Sequence, residues 1–569
     1  MKLEIIETDV AVVGGGLAAL RSAVEASAAG ARVAVIAKRK LGRSGSSAST
    51  SAGYSAALAD EETPGNGFGD SYQQHFTDTM QGGSNVNNPH LVELLCREAP
   101  ARFRELEELG VKFQHQDDKY VLHPSGDHSW PRIAVTQNLI GTDITLPLLE
   151  QAVRNGCRTL ENSAAIRLIV EQDRICGVLC MSRKSLDLLA VRAGAVILAT
   201  GGAGQLFPVT SNPVDVTGDG YVLGLHAGAE LRDMEFIQFY PWRAIEPFRH
   251  SRVPIQPSTF VHGGRLLNSR GERFMERYDA VRCDSTTRAL AARGIFDQIR
   301  QGLDIDGGVQ LDLSAISDQD FARSNPKVLK YLGVQGADYR QVKFILAPEA
   351  HYFMGGLVMD AEGATTVPGL YVAGETAGGV HGANRLDSNA IPDTQVFGFR
   401  AGRSAAAFAR HRAAPALPTG LLERDQRLLS ERLHANGSKN DLPGMKKDLQ
   451  AKMLRALGII RNSVDLKTGL DGARALLEQL DTMELDGLQD MVDWHELRNL
   501  CEVGLVCIAA ALYRTESRGA HYREDFPDQQ DSNWLKAVTV RLKHVDTYEL
   551  DCEAVSTTWA SPVGVESKL

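Results

Sequence analysis

The sequence predicts an α/β fold built on a Rossmann-like parallel sheet and followed by a helical region. Three observations predict it. A strand, glycine turn, helix and strand occupy DVAVVGGGLAALRSAVEASAAGARVAVIAK near the start of the chain. A strand running into glycines then recurs in AVILATGGAG at 195–204 and in VPGLYVAGE at 367–375. Late in the chain, KMLRALGIIRNSVDLKTGLDGARALLEQL and ELRNLCEVGLVCIAAALYRTES space their apolar residues at the helical period.

The opening segment fills roughly the 30 residues that a βαβ unit needs. Gly14, Gly16 and Ala19 give the G-x-G-x-x-A form of a dinucleotide fingerprint. Gly14 permits the tight turn, and Gly16 lets the backbone approach a pyrophosphate at the positive end of the helix. The position closing the second strand, where an acid would hold a ribose, is Lys38. Phosphate binding is therefore better specified than ribose recognition. Asp219 stands between two glycines in TGDG, and Glu375 follows a strand and a glycine. Open α/β sheets place ligand-binding groups at such strand ends, so the three segments predict one dinucleotide fold assembled from distant parts of the chain.

With 569 residues the chain exceeds what one hydrophobic core supports, and about two to four domains are expected. Its 43% hydrophobic and 23% charged residues are those of a soluble globular protein. A net charge of -10 with no basic block argues against nucleic acid as a partner. The eight cysteines are scattered without a CxxC, which predicts no metal, iron–sulfur or structural zinc site. The acidic flank of the start enters a strand at once, leaving no room for a signal peptide. The longest apolar stretch, VGLVCIAAALY, is too short to span a bilayer. The expectation is a cytoplasmic, reduced protein with no transmembrane segment.

The motifs GGGLAALRSA, GRSGSSASTSAG, HFTDTMQGGS, GTDITLPLLEQA, TGDGYVLGLHAGA, GERFMERY, APEAHYFMGG, HGANRLDSN and RTESRGAHYREDFP follow one another in order. Almost end to end, the chain resembles the flavoproteins of succinate dehydrogenase, fumarate reductase and L-aspartate oxidase. The resemblance implies a Rossmann-like FAD-binding domain at 1–234 and 352–415, interrupted by an inserted α+β capping domain at 235–351. A C-terminal helical domain at 416–530 and a tail at 531–569 would follow, the Pro-rich HRAAPALPTG marking the boundary. It implies FAD held by Gly14, Gly15, Gly16, Ala18, Ala19, Lys38, Ser44, Ser46, Ser47, Gly53, Gly201, Asp219, Glu375, Asn389, Ala390 and Ile391. The membrane dehydrogenases of the family attach FAD through a histidine in a segment resembling GRSGSSAST. Here that segment holds Gly45 and Ser46, and no histidine precedes His75. Noncovalent FAD is expected, which favours a reductase or an oxygen-using oxidase.

Dehydrogenating a carboxylate substrate, or reducing its double bond, requires a hydride exchanged with the flavin and a proton exchanged at the neighbouring carbon. Arg385 suits the anchoring task, because a guanidinium grips a carboxylate through two parallel bonds that lysine cannot copy. By the resemblance, His351 is the substrate-binding histidine and Arg288 the proton-donating arginine. An arginine acid, with an ordinary pKa above about 12, needs a relay. If the segment is helical, Asp284 stands one turn before Arg288 and could orient it. Taken alone, Arg288 reads as a solvated ion-pair partner and His351 as a structural histidine.

Two departures bear on the substrate. Where the family reads QFHPT this chain reads QFYPW, so Tyr240 replaces a histidine and Trp242 a threonine. The family's threonine–glutamate stretch becomes IQPSTFVHGG at 255–264. The groups that would hold the second carboxylate of a C4 diacid are thus replaced by aromatic surface, which favours a carboxylate with an apolar or aromatic portion. The alternative is that Tyr240 and Trp242 only pack within the capping domain. The expected function is an FAD-dependent oxidoreductase acting on a small-molecule carboxylate other than a standard C4 dicarboxylate. The alternatives are an electron-transfer subunit docking an iron–sulfur partner, an L-aspartate oxidase-like amino-acid oxidase, and a flavoprotein that binds its ligand without turnover.

Overall fold

The computed structural model describes residues 1–58, 69–117, 119–248, 253–334, 336–412, 414–433, 440–544 and 547–556. The end of the expected tail, 557–569, lies outside the described residues. A parallel five-stranded sheet runs in the order Leu370–Val372, Ala195–Leu198, Val10–Val13, Val33–Ala37, Arg158–Glu161. Its central strands are short runs of valine, isoleucine and alanine buried along their whole length. That is the composition a parallel sheet needs when both faces are covered. One face carries the helix Leu17–Ala28, which lies against Ala390–His411. The two helices approach closely through glycine, since a Cβ on Gly402 would stand 2.5 Å from the carbonyl oxygen of Ser22. The other face meets a second sheet, in the order Leu3–Glu7, Leu188–Arg192, Arg174–Ser182, Ser163–Glu171.

The insert is an antiparallel sheet of Ile237–Glu246, Phe344–Phe353, Val309–Asp312 and Arg265–Leu267, backed by the helix Arg288–Arg300. It has its own aromatic core, which includes Trp242, Phe248, Phe260, Phe274 and Phe344. The strand Phe344–Phe353 runs straight through the boundary expected between 351 and 352, and its Phe353 N–H donates to Glu375 Oε1 at 3.0 Å. The insert is therefore tied to the cofactor region by continuous backbone as well as by packing.

The helices Leu442–Leu457, Ser463–Asp481 and Gly487–Tyr513 pack together as the helical periodicity predicts. The segment after them is held by buried ion pairs: Arg514 reaches Glu235 at 2.5 Å and Glu516 at 3.0 Å, and Arg518 reaches Glu516 at 2.7 Å. Arg523 pairs with Asp525, and His521 Nδ1 accepts from Arg461 at 2.9 Å. The strand Lys536–His544 returns to pair with Leu231–Arg232 and Thr547–Ala554 pairs with it in turn, extending a sheet that also contains Gly356–Leu357. Among the described residues no helix is long and apolar enough to cross a membrane.

Candidate active site

A cavity of about 1440 Å³ opens between the C-terminal ends of the parallel strands and the inserted sheet. Its first wall is mostly backbone. Gly14 follows the strand Val10–Val13 at φ +138°, and a Cβ there would lie 2.1 Å from the carbonyl oxygen of Ala199 on the adjacent strand end. Gly16 caps the helix Leu17–Ala28 without a side-chain bond, and a Cβ on it would meet Ser47 Oγ at 2.8 Å. Leu17 N–H donates to Ser47 Oγ at 3.1 Å, while the buried Ser46 Oγ has no partner among the described residues. A helix start stripped to glycine, beside an unpartnered hydroxyl, fits a pyrophosphate.

Gly15, Ala18, Ser44, Gly53, Gly201, Ala390 and Ile391 line the same cavity. Lys38 and Asp219 line it as a pair, Lys38 Nζ standing 2.9 Å from Asp219 Oδ2. Burial would raise the Asp219 carboxyl, but Lys38 and the Thr217 hydroxyl outweigh it and hold it down at about 2. Glu375 lies opposite in charge logic: burial pushes its carboxyl up to about 7. These groups suit the sugar and ribityl parts of FAD. Two expected cofactor residues lie behind the wall. Ala19 packs 3.3 Å from where a Gly14 Cβ would be, as the small third position of the fingerprint requires. Asn389 bonds to His75 Nε2 at 2.8 Å and to Thr79 Oγ1 at 3.0 Å.

The second wall is made of side chains. Arg385, 3% exposed, lies over the Tyr352 ring at 4.6 Å and donates from Nη1 to the carbonyl of Leu386 at 3.1 Å. Its Nε has no partner, and no carboxylate pairs with it among the described residues. Burial, and then the neighbouring Arg288, pull its pKa down to about 10. A buried cation that lacks its counter-charge is a site for an anion. Gln238 holds its backbone, donating to the Arg385 carbonyl at 2.8 Å. His351 Nδ1 lies 2.7 Å from Ser211 Oγ. Burial and then Arg385 and Arg288 hold the imidazole pKa far below its ordinary value, so it is neutral. Arg288, 5% exposed, donates from Nη2 to Asp387 Oδ1, and its Nε and Nη1 have no partner among the described residues.

Two expectations are corrected. Asp284 does not orient Arg288. It sits in the short turn Cys283–Ser285, where it accepts from Leu266 N at 2.8 Å and from Arg273 Nε at 2.6 Å. Thr287 caps the helix that begins at Arg288, so the two residues never share a helical face. Trp242 does not line the main cavity. It is 2% exposed and stacks on Phe260 at 4.7 Å inside the core of the insert. Tyr240 does line the cavity, but its hydroxyl donates to the Ile255 carbonyl at 2.6 Å and its ring lies 5.4 Å from the Arg288 guanidinium and 5.3 Å from the His351 ring. Residues passed over in the sequence are Asp387, Ser211, Arg323 and Lys327, which line the cavity, and Asp127, which accepts from the Asp387 N–H behind it. Only Asp387 carried a signal, being an acid inside HGANRLDSN two places after Arg385.

Comparison with known proteins bears on this arrangement. Residues 9–391 match the FAD binding domain family, and residues 446–566 match the family of fumarate reductase flavoprotein C-terminal regions. The chain is 36% identical over 550 residues to one of the subunits of the fumarate reductase (CoM/CoB) of Methanothermobacter marburgensis, covering 95% of this chain and 98% of the other. It is 33% identical over 554 residues to the L-aspartate oxidase of Streptomyces coelicolor, covering 94% of this chain and 92% of the other. Among solved structures, Mycobacterium smegmatis Sdh1 in complex with UQ1 superposes with a TM-score of 0.85 at 31% identity, covering 97% of this chain and 95% of that one.

Proposed function

Since this chain belongs to the flavoprotein family of succinate dehydrogenase, fumarate reductase and L-aspartate oxidase, and is by that membership an FAD-dependent oxidoreductase, we propose that it desaturates, or reduces the double bond of, a small carboxylate. FAD, when bound along the glycine wall, supplies or removes the hydride. The chain's own residues do the rest. Arg385 binds the carboxylate and fixes its plane, and neutral His351, oriented by Ser211, donates a hydrogen bond from Nε2. Arg288, which lines the cavity, exchanges the proton at the neighbouring carbon. The proton balance is then one N–H bond broken and one C–H bond made in reduction, and the reverse in desaturation.

The observation that carries this reading is Arg385, a buried guanidinium in the cavity with no carboxylate of its own among the described residues. The nature of the rest of the substrate follows from Tyr240. Its hydroxyl is spent on the Ile255 carbonyl, so it offers the ligand a ring face. One carboxylate and an apolar or aromatic portion fit this wall better than a C4 diacid. The test is anaerobic: reduced holoenzyme is mixed with fumarate, crotonate and trans-cinnamate, and oxidised holoenzyme with their saturated counterparts. Faster flavin turnover with the monocarboxylates supports the reading, and turnover confined to the C4 diacid overturns its substrate half.

The segment Ser44–Gly53 faces the cavity without a histidine, which supports noncovalent FAD. Acid precipitation should release all the flavin into the supernatant. Some matched relatives are named as subunits. Turnover of the purified chain with a soluble electron acceptor separates a free-standing enzyme from one that needs an iron–sulfur partner.

A further inference from the structure

The cavity does not end at Tyr240. Its lining continues through Pro254, Pro257 and Val328 to a group of basic side chains: Lys112, His115 and His123 from the chain before the insert, and Arg323 and Lys327 from the insert itself. Two hydrogen bonds tie this group to the substrate wall. Tyr240 donates its hydroxyl to the Ile255 carbonyl at 2.6 Å, and the next N–H, that of Gln256, donates to Asn325 Oδ1 at 3.0 Å. Asn325, 2% exposed and donating to Thr259 Oγ1 at 2.7 Å, is the turn between the helices Asp318–Ser324 and Pro326–Val334. Arg323 and Lys327 flank that turn, so the loop that holds the Tyr240 ring also places their backbone.

These two cations lack counter-charges. Among the described residues no carboxylate lies within ion-pair distance of either, and the acids around them are engaged elsewhere. Asp318 accepts from Arg340 Nε at 2.8 Å and Asp320 from Ser317 Oγ at 2.6 Å. Asp143, which acts on Lys327, accepts from Asn138 N and Nδ2, both at 3.1 Å. Glu107, which also lines the cavity, takes the Tyr120 hydroxyl at 2.7 Å. Burial pulls the Lys327 ammonium below its ordinary pKa. Burial and then Arg323 hold the His123 imidazole at about 4, so it is neutral. The first turn of Pro326–Val334 lines the cavity too and adds the positive end of a helix. A half-buried lysine, an arginine and a helix start with no acid among them are a place for an anion.

We propose that this basic end of the cavity binds a second oxyanion carried at the far end of the substrate. The substrate is then a long acid with one carboxylate on Arg385, an apolar middle against Tyr240, Pro254 and Pro257, and a distal anionic group at Arg323 and Lys327. The inference rests on the reading of Arg385 and Tyr240 above and extends it. The distal group takes no part in hydride or proton exchange. Its effect falls on the concentration needed for turnover and leaves the limiting rate alone. Because Arg323 is exposed, the gain is modest and screened by salt.

The test is single-turnover reoxidation of dithionite-reduced holoenzyme by straight-chain trans-2-enedioic acids from hexenedioate to dodecenedioate. Each acid is compared with its neutral amide at the saturated end, and flavin content is read alongside. At low salt, at least one length should half-saturate at about a tenth of the concentration its amide needs, with the same limiting rate. About 0.5 M salt should remove most of that advantage. In the double variant Arg323→Gln, Lys327→Gln, acid and amide should come within about twofold of each other. Arg323→Lys keeps the charge and should keep most of the preference. Acids no better than their amides at every length, or a preference that survives in the double variant, overturn the inference alone. A double variant that loses its flavin makes the two residues structural and overturns it too. Reoxidation by none of these acids and amides, or by fumarate only, overturns the underlying reading and the inference with it.

Discussion

The two walls of the cavity are built by different means. The cofactor wall is mostly backbone: glycines at strand ends, a helix start and a few hydroxyls. The substrate wall is side chain: Arg288 meets Asp387, His351 meets Ser211, and Gln238 holds Arg385, each pair separated by more than 90 positions. The difference teaches what each wall tolerates. A backbone wall has no alternative conformers to absorb an added atom, whereas a side-chain wall can lose a function and keep its fold.

The largest effect tests the first half of that contrast. Gly14→Ala places a Cβ 2.1 Å from the Ala199 carbonyl oxygen at φ +138°, so backbone must move against backbone. Loss of nearly all bound flavin is expected, with destabilisation of about 3 kcal/mol. Gly16→Ala meets the Ser47 hydroxyl at 2.8 Å, a side-chain atom that can move by giving up the Leu17 N–H, and should lose less of its flavin than Gly14→Ala. Flavin-to-protein ratios after purification read both. Equal losses in the two variants would show that the wall is sensitive to any added carbon rather than to backbone clash.

The next effect is the one side chain in which the cofactor wall behaves like the other. Glu375 titrates at about 7 in the native chain, against an ordinary 4.5, because of burial. The native state keeps a proton that the unfolded state releases, so stability is fully present below pH 4.5 and falls as pH rises toward 7. Glu375→Gln keeps an oxygen for the Phe353 amide and removes the titration. In flavin-stripped protein, the variant should gain up to about 3 kcal/mol on wild type between the acid and alkaline ends of that window, read as urea midpoints. An unchanged difference across the window would mean that the carboxyl is solvated.

Legibility in the sequence follows the same division. The glycine wall could be read because its chemistry is local: Gly14, Gly16 and Ala19 each have a job fixed by spacing alone. Arg385 stood out as a guanidinium suited to a carboxylate, His351 only through the family resemblance, and the fold placed both on the cavity. Asp284 was expected beside Arg288 on the assumption of one continuous helix. Thr287 starts the helix later, and the acid that arrives is Asp387, from another segment. No periodicity encodes a contact of that kind.

The substrate wall is probed by Arg385→Lys. Lysine keeps the charge but gives up the planar fork, and it cannot reproduce the stack on Tyr352. Affinity for 3-phenylpropionate should fall about 100-fold while flavin content stays at the wild-type level, a loss of about 2.7 kcal/mol. A matched fall in flavin content would erase the distinction between the walls.

The smallest effect belongs to Trp242, which separates the substrate wall from the core directly behind it. Its indole is 2% exposed, stacked on Phe260 at 4.7 Å and edge-on to Tyr240 at 5.7 Å. The indole N–H is buried without a partner among the described residues. Trp242→Phe removes that unsatisfied donor and keeps most of the aromatic stack, so two opposing changes nearly offset. A stability change of about 1 kcal/mol is expected, read from the urea midpoint of the holoenzyme. Affinity for 3-phenylpropionate should move by less than about threefold, because Tyr240 stands between Trp242 and the cavity. A tenfold loss of affinity would mean that the ligand reaches past the Tyr240 ring. The aromatic pair would then belong to the binding wall as the sequence had predicted, with Tyr240 as a gate and not a floor.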